Sequence, residues 1–268
     1  MPFVHCESAD LAYDVQGGGP PVLLVHAGVT DKRGWRPLVG SLGGSFRTIA
    51  YDQRGYGEST YEPAPHSAVD DAIAVLDAEG VDQAIVIGAS NGGRRSIHLA
   101  LDHPERVRAL TLIGAGAHGG PDDDVESYSD EVRALCAAYE AAENGDDLDE
   151  LNRIEAHVWL DGWVAPEGRV QGPVRDLFLS MNGIALRSAD PGDDGTGSAW
   201  DRVGEIAVPT LVLLGDLDVV CAPASEHFAA TIPGAQYEVL EGTGHLPHLE
   251  GHARALEVIG DFLATVVA

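Results

Sequence analysis

Residues 84–92 read Ala-Ile-Val-Ile-Gly-Ala-Ser-Asn-Gly, an apolar run that leads into a serine between nearby glycines. The apolar run is typical of a buried strand, and a helical pattern follows it to about residue 100. Gly88 and Gly92 lack side chains where strand and helix approach closely, so Ser90 can adopt a strained backbone with its hydroxyl exposed. The stretch therefore predicts a tight strand-to-helix turn that presents Ser90.

A serine hydroxyl is a weak nucleophile at neutral pH, so it needs a base to take its proton and a carboxylate to orient that base. Two later segments offer these groups. A buried-strand pattern at 210–214 ends in Gly-Asp-Leu-Asp, and either Asp216 or Asp218 could reach a histidine. An apolar segment at 237–240 leads into Gly-Thr-Gly-His, which ends at His245. Loops after parallel strands share one sheet edge, so these side chains can converge with Ser90.

Strand and helix patterns alternate along most of the chain. Strand patterns lie at 11–15, 22–25, 48–51, 85–87, 110–113, 211–214 and 236–240, and helical ones include 69–79, 93–102 and 252–266. This alternation predicts an α/β fold, with a mostly parallel sheet flanked by helices. The first strand is expected to belong to an antiparallel N-terminal hairpin.

The alternation stops between residues 113 and 208. Helical patterns at 129–143, 147–160 and 173–184 follow one another there, with a loop at 189–198. We interpret this segment as an inserted helical cap at 116–205. The core then comprises residues 1–115 and 206–268.

Two further segments complete a resemblance to the α/β-hydrolase family that extends over nearly the whole chain. Val-Leu-Leu-Val-His-Ala-Gly at 22–28 looks like the strand and oxyanion loop of that family. Tyr-Asp-Gln-Arg-Gly-Tyr-Gly-Glu-Ser at 51–59 is similar to its D-x-R-G-x-G-x-S segment. The stretch around Ser90 matches its nucleophile elbow, G-x-S-x-G, in the strand-to-helix context it requires. Two residues depart from the usual pattern: Ala27 stands where glycine is usual, and Asn91 where many members carry methionine.

The resemblance implies a role for each matching residue. Ser90 would be the nucleophile, His245 the base, and Asp218 the acid, because the family spacing G-x-x-D favours it over Asp216. Asp216 would then support the turn. The oxyanion hole would consist of the backbone N–H groups of Gly28 and Asn91, and both departures from the pattern keep an N–H.

The substrate pocket is expected beneath the cap. Val29 is the alternative oxyanion donor if the loop register differs, and it also borders the predicted pocket. Apolar and aromatic residues of the cap, together with the neighbour of His245, complete the candidate lining: Trp159, Trp163, Phe178, Met181 and Leu246. Any of these residues could instead pack the cap onto the core.

Composition limits the partners. The 268 residues carry 16 Lys and Arg against 43 Asp and Glu, a formal charge of −27. Such a surface repels nucleic acid and anionic membranes, and it favours a neutral small-molecule substrate. No run of about 20 apolar residues and no signal-like segment is present, so we expect a cytoplasmic protein. The sequence does not indicate an oligomeric state.

No cofactor or metal is expected. The three cysteines, Cys6, Cys136 and Cys221, lie far apart and form no C-x-x-C pair, so neither a zinc site nor a redox motif is indicated. The Gly-rich stretch at 17–19 is not followed by G-K-[ST], which excludes a phosphate-binding loop of that type.

These observations predict a serine hydrolase that cleaves a small to medium carboxylic ester or lactone. Two alternatives use the same three residues: carbon–carbon bond hydrolysis of a dienoic keto acid, and cofactor-free haloperoxidase-like perhydrolysis. A haloalkane dehalogenase is disfavoured because it needs a carboxylate at position 90. A hypothesis of another class is a non-catalytic small-molecule receptor on the same fold.

Overall fold

The computed structural model of the chain describes residues 2–121 and 125–268. Within these residues nine strands form one sheet. In chain order they are Phe3–Cys6 (β1), Ala9–Gln16 (β2), Pro21–Val25 (β3), Arg47–Tyr51 (β4), Thr60–Tyr61 (β5), Ala84–Ala89 (β6), Val107–Ile113 (β7), Thr210–Gly215 (β8) and Gln236–Leu240 (β9). The strand order is β1-β2-β4-β3-β6-β7-β8-β9, with β5 paired to β2.

In the spatial order of the sheet, adjacent strands in the series β4-β3-β6-β7-β8-β9 are parallel to each other. Strand β2 is antiparallel to β1, β4 and β5. Both the mostly parallel sheet and the antiparallel N-terminal hairpin are therefore confirmed. Two short strands were not predicted. β1 alternates between exposed and half-buried residues, and β5 has only two residues, so neither has a continuous apolar run.

Helices cover both faces of the sheet. They are Arg36–Leu42 (α1), Ala68–Ala78 (α2), Asn91–Asp102 (α3), Asp130–Glu143 (α4), Leu148–Ala156 (α5), Pro173–Ala185 (α6), Ala222–Thr231 (α7), Pro247–Glu250 (α8) and Ala253–Val267 (α9). The sequence patterns did not predict α1 or α7. Each buries only two side chains, so the apolar periodicity of a helix is weak in both.

Alternate residues of the central strands enter two apolar clusters on opposite sheet faces. Leu23 and Val86 pack on one face, whereas Leu24 and Ile87 pack on the other. Strands buried on both faces read as unbroken apolar runs, which explains why they were easily recognised in the sequence.

The segment between β7 and β8 contains α4, α5 and α6, and a π-helical turn, His157–Asp161, follows α5. Helices α4 and α5 enclose a small apolar cluster, while Phe178 of α6 packs in the core cluster. Ala199 and Val203 also pack in the core, so the chain rejoins it shortly before residue 206, where the sequence analysis placed the boundary.

Replacing Gly92 with alanine is expected to lower the free energy of unfolding by about 1–3 kcal/mol. A Cβ atom there would lie 2.2 Å from the carbonyl oxygen of Val25 and 2.4 Å from that of His26, so the backbone must shift. Gly260→Ala in α9 is the matched control, because a Cβ there meets nothing within 4 Å. The control should raise stability by about 0.5–1 kcal/mol. Urea unfolding measures both, and equal midpoints for the two variants would contradict this account.

Candidate active site

Ser90 lies on the turn between β6 and α3, with φ 51° and ψ −121°. A non-glycine residue in this region of backbone space costs about 1–3 kcal/mol and persists only where its surroundings impose it. Its backbone N–H donates to the carbonyl of Ile113 at 2.9 Å. A Cβ atom on Gly88 would lie 2.4 Å from the Ser96 hydroxyl oxygen, so strand and helix are in close contact here. Ser90 itself is partly exposed, and its hydroxyl can meet a ligand.

A buried aspartate–histidine pair lies at the same edge of the sheet. Asp218 follows β8 and His245 follows β9, and Nδ1 of His245 is 2.6 Å from Oδ2 of Asp218. Both residues are almost fully buried. The pair fits because the residue after β7 is Gly114, where a Cβ atom would lie 2.8 Å from Nδ1 of His245. Nε2 of His245 has no hydrogen-bond partner among the described residues, so it can accept a proton.

The structure separates the two aspartates of the 215–218 turn. Asp216 is exposed, and its Oδ1 accepts a hydrogen bond from the backbone N–H of Gly242 at 2.7 Å. It therefore ties the turn after β8 to the turn after β9. Asp218, not Asp216, contacts His245.

Glu250 holds the loop that carries His245. One of its oxygens accepts hydrogen bonds from the Thr243 hydroxyl at 2.6 Å and from the Gly244 N–H at 2.9 Å. Arg169, from the inserted segment, donates to both oxygens of Glu250 at 2.8 Å. The sequence analysis missed both residues, because a single acid in a short helix and a single arginine in a polar loop carry no motif.

The two predicted oxyanion residues lie side by side. A Cβ atom on Gly28 would be 2.8 Å from Nδ2 of Asn91 and 3.5 Å from the hydroxyl of Tyr56. Asn91 is the first residue of α3, so its N–H is one of the four that have no acceptor within the helix. The site is open here, because Asn91 is exposed and Gly28 and Val29 are partly exposed.

His26 fixes the loop that contains Gly28. Its Nε2 accepts a hydrogen bond from the Gln53 N–H at 3.0 Å, so the ring proton is on Nδ1, which donates to the Ala27 carbonyl at 2.8 Å. Burial lowers the pKa of His26, in agreement with a neutral ring. The Gln53 side-chain amide also donates to the His26 carbonyl at 2.8 Å.

The 51–59 segment stabilises the loop that contains Gly28 and the residues that follow it. Asp52 accepts hydrogen bonds from the backbone N–H and from Nζ of Lys32, at 2.8 and 2.6 Å, and from the Glu58 N–H at 2.8 Å. A Cβ atom on Gly57 would lie 2.2 Å from Oδ2 of Asp52, which explains the second glycine of the motif. The motif therefore has a structural role. No hydrogen bond among the described residues joins it to the His245 ring.

The six pocket candidates differ in their surroundings. Trp159 is partly exposed, and its ring lies 4.8 Å from the His245 ring. Trp163 packs among residues of α4 and α5 in the cap cluster. Phe178, Met181 and Leu246 are 0% exposed and belong to the core cluster, so packing accounts for their apolar character and they border no open space here. Val29 and Trp159 are the candidates with surface beside the site.

A polar cluster in the cap was not predicted. Glu155 of α5 is 7% exposed, accepts a hydrogen bond from Asn182 and lies 3.4 Å from the Tyr139 hydroxyl. Burial raises the pKa of Glu155, which has no cationic partner among the described ion pairs. Burial also raises the pKa of Tyr56; Arg95 opposes this effect and Glu155 adds to it.

Two other groups adjoin the aspartate–histidine pair. Sγ of Cys221 is 3.6 Å from Nδ1 of His245. In the part of the chain that the structure describes, one group of three side chains could ligate a metal ion: Asp218, Cys221 and His245, with donor atoms within 4.8 Å of one another.

His248 is fully buried and stacks on Trp35, and burial and the neighbouring His245 lower its pKa to about 3. It is therefore neutral and serves packing.

The model of the alpha/beta hydrolase fold family matches residues 20–252. The chain belongs to this family. The predicted resemblance is thus confirmed, and so is the α/β fold class with its mixed sheet flanked by helices.

Curated and structural relatives of this hydrolase carry several specificities. The chain is 32% identical to 2-hydroxymuconate semialdehyde hydrolase from Pseudomonas sp. (strain CF600), over 92% of this chain and 88% of that protein. A thermophilic esterase from Thermogutta terrifontis is 26% identical, covers 98% of both chains and has a TM-score of 0.78. Est816, described as an N-acyl homoserine lactone degrading enzyme, is also 26% identical, with a TM-score of 0.76 over 97% of this chain and 100% of its own. A hydrolase activity is therefore supported, whereas the bond that is cleaved varies among the relatives.

None of the helices in residues 2–121 and 125–268 combines the length and apolar character needed to span a bilayer.

Replacing Glu155 with glutamine should stabilise the protein increasingly as the pH rises. Because the folded-state pKa is raised, the folded state holds this proton more tightly than the unfolded chain, whose glutamate titrates at about 4.3. The contribution of Glu155 to the free energy of unfolding of the wild type is therefore fully present below about pH 4.3. It is lost as the pH rises through the folded-state pKa of Glu155. Urea unfolding from about pH 5 to about pH 8 measures the difference between variant and wild type.

The matched control is Glu150→Gln on the same helix. Glu150 is exposed, and its hydrogen bond with Arg153 lowers its pKa, so this variant should gain nothing as the pH rises. A constant difference between Glu155→Gln and wild type over this range would contradict the burial of an uncompensated carboxylate.

Proposed function

We propose that the protein is a serine hydrolase that cleaves a neutral carboxylic ester or lactone of small to medium size through an acyl-enzyme. The observation that carries this proposal is the buried 2.6 Å contact between Asp218 and His245 at the sheet edge that also carries the strained Ser90. A buried carboxylate on Nδ1 leaves Nε2 as a base, which a serine nucleophile requires. The scattered cysteines support a reducing compartment, and we propose the cytoplasm.

The proposed chemistry assigns a step to each of these residues. Ser90 Oγ attacks the carbonyl carbon while Nε2 of His245 takes its proton, and Asp218 stabilises the imidazolium that forms. The N–H groups of Gly28 and Asn91 would donate to the oxyanion, each typically contributing about 3–4 kcal/mol. His245 then protonates the leaving alkoxide. Water, activated by the same Nε2, attacks the acyl-enzyme and releases the carboxylic acid and Ser90.

A neutral substrate is favoured by the charges around the site. Among the described residues three cations are buried, Lys32, Arg54 and Arg94, and each contacts a carboxylate. Arg94 is the one beside the site, and its donors already bind Asn91 at 3.2 Å, Thr196, and Asp194 at 3.0 Å. No pair of guanidinium donors remains there for a substrate carboxylate.

The size preference rests on the inserted segment. Trp159 packs against the His245 ring. We propose that the inserted segment encloses an apolar site above Ser90, which would select small and medium acyl groups.

Carbon–carbon bond hydrolysis is the second candidate. Arg94 and Arg95 share the single carboxylate of Asp194, at 3.0 and 2.8 Å, which leaves one positive charge in excess near Asn91. That charge would attract the carboxylate of a dienoic keto acid. The relative from Pseudomonas that is named as a semialdehyde hydrolase also favours this reading.

Ser90→Ala and His245→Ala should each lower kcat on p-nitrophenyl butyrate by at least about 10⁴-fold, and the double variant should cost little more, because the residues act as a unit. Asp218→Asn should lower it by about 10³- to 10⁴-fold through the wrong imidazole tautomer. Asp216→Asn is the matched control, because an amide oxygen can still accept the Gly242 N–H, and it should stay close to wild type. Wild-type activity in Ser90→Ala would refute the assignment.

A substrate panel tests the specificity. We expect the highest kcat/KM on short esters or lactones, a steep fall beyond medium acyl chains, and little cleavage of a dienoic keto acid. A higher kcat/KM for the keto acid would establish the second candidate, and a maximum on long-chain triglyceride would contradict the enclosed site.

Labelling by a fluorophosphonate probe that is lost in Ser90→Ala would support an enzyme over a receptor. Folded protein that neither labels nor turns over would be a receptor.

A further inference from the structure

Cys221 has no role in the proposed reaction, although it adjoins the aspartate–histidine pair. It lies at the start of α7, three residues after Asp218, and is partly exposed, whereas Asp218 and His245 are buried. Its Sγ is 3.6 Å from Nδ1 of His245, and the donor atoms of the three residues are within 4.8 Å of one another. Of the three residues, Cys221 is therefore the most exposed to solvent.

These donors suit a borderline or soft cation. Thiolate, imidazole nitrogen and carboxylate oxygen are the zinc ligands of proteins, with bonds of about 2.0–2.3 Å, so ligand atoms of a tetrahedral ion are about 3.3–3.7 Å apart. The distance of 3.6 Å between Sγ and Nδ1 already meets this requirement. The 2.6 Å contact between Nδ1 and Oδ2 does not, so the Asp218 carboxylate must turn away by about 1 Å or less to admit an ion.

The other oxygen of Asp218, Oδ1, is buried and lacks a hydrogen-bond partner among the described residues. A buried carboxylate oxygen without a partner is costly, and a cation would satisfy it. The carboxylate thus has one oxygen for His245 and one that is unsatisfied.

We propose that Asp218, Cys221 and His245 form an inhibitory site for a thiophilic divalent cation such as Zn²⁺ or Cd²⁺. On binding, the Cys221 thiol releases one proton to solvent, and the Nδ1 proton of His245 moves to Nε2 as Nδ1 takes the metal. Nε2 then carries a hydrogen and cannot accept the proton of Ser90. The inhibition rests on the proposed function of His245, whereas binding of the ion does not.

The other cysteines provide internal controls. Burial, with a contribution from Asp71, raises the pKa of Cys6 to about 11, so Cys6 is a poor thiolate donor near neutral pH. Cys136 belongs to α4 in the cap, where it packs against the cluster of Val132 and Trp163.

The first test measures esterase activity of EDTA-treated, dialysed protein against increasing Zn²⁺. We expect wild type and Cys136→Ser to be inhibited and to recover on addition of EDTA. Cys221→Ser should keep its basal activity and require at least about tenfold more Zn²⁺ for the same inhibition. Inhibition of Cys221→Ser at the wild-type concentration, or no inhibition of wild type, would overturn the proposal.

The second test needs no turnover. Cd²⁺ titrated into the Ser90→Ala protein should produce the ultraviolet charge-transfer band of one cadmium thiolate, and Ser90→Ala/Cys221→Ser should lose it. A band in the first variant together with inactive wild-type protein would refute the proposed function and keep the metal site. No band, or a band that survives loss of Cys221, would refute the site.

Discussion

The close approach of α3 to the sheet is the constraint on which the site depends. A Cβ atom on Gly92 would strike the Val25 carbonyl at 2.2 Å, and one on Gly93 would strike the Ala115 side chain at 2.4 Å. Because helix and sheet touch here, the chain must reverse within one residue, and Ser90 takes the positive φ that a longer turn would avoid. The same approach brings the first N–H of α3 next to the loop after β3. The rigid core thus retains strain of about 1–3 kcal/mol at Ser90 and keeps this residue partly exposed.

The inserted segment contributes to the geometry of His245 as well as to the space above it. Trp159 covers the imidazole at 4.8 Å, and Arg169 binds the carboxylate of Glu250, which in turn holds the Gly244 N–H before His245. These contacts with His245 and its loop would not be needed if the inserted segment only covered a pocket. A movement of the segment would therefore alter the position of His245, so in the proposed reaction substrate entry and proton transfer would be physically coupled. Such coupling makes cap residues relevant to kcat and not to KM alone.

Sequence patterns were sufficient where local physics dominates. The buried strands and the turn at Ser90 follow from apolar runs and glycine spacing, and the contact of Asp218 with His245 agrees with the family spacing. They were insufficient where tertiary contacts dominate. Nothing local distinguishes Trp159, which meets His245, from Phe178, which packs in the core, because both are apolar residues at helical spacing. Glu155 has the same limitation, since an acid in a helix ordinarily faces water and only packing reveals that this one is buried.

In the proposed reaction, negative charge near the site would affect substrate binding and product release in different ways. The formal charge of −27 makes the potential around the protein negative, and Glu155 of the cap adds to it when its carboxyl is ionised. A neutral ester enters without an electrostatic penalty, but hydrolysis creates a carboxylate in the same space. Two like charges repel more strongly in a site of low dielectric constant than in water, so the product is destabilised relative to the substrate. In the proposed reaction, the negative potential that disfavours anionic substrates would therefore also favour release of the acid.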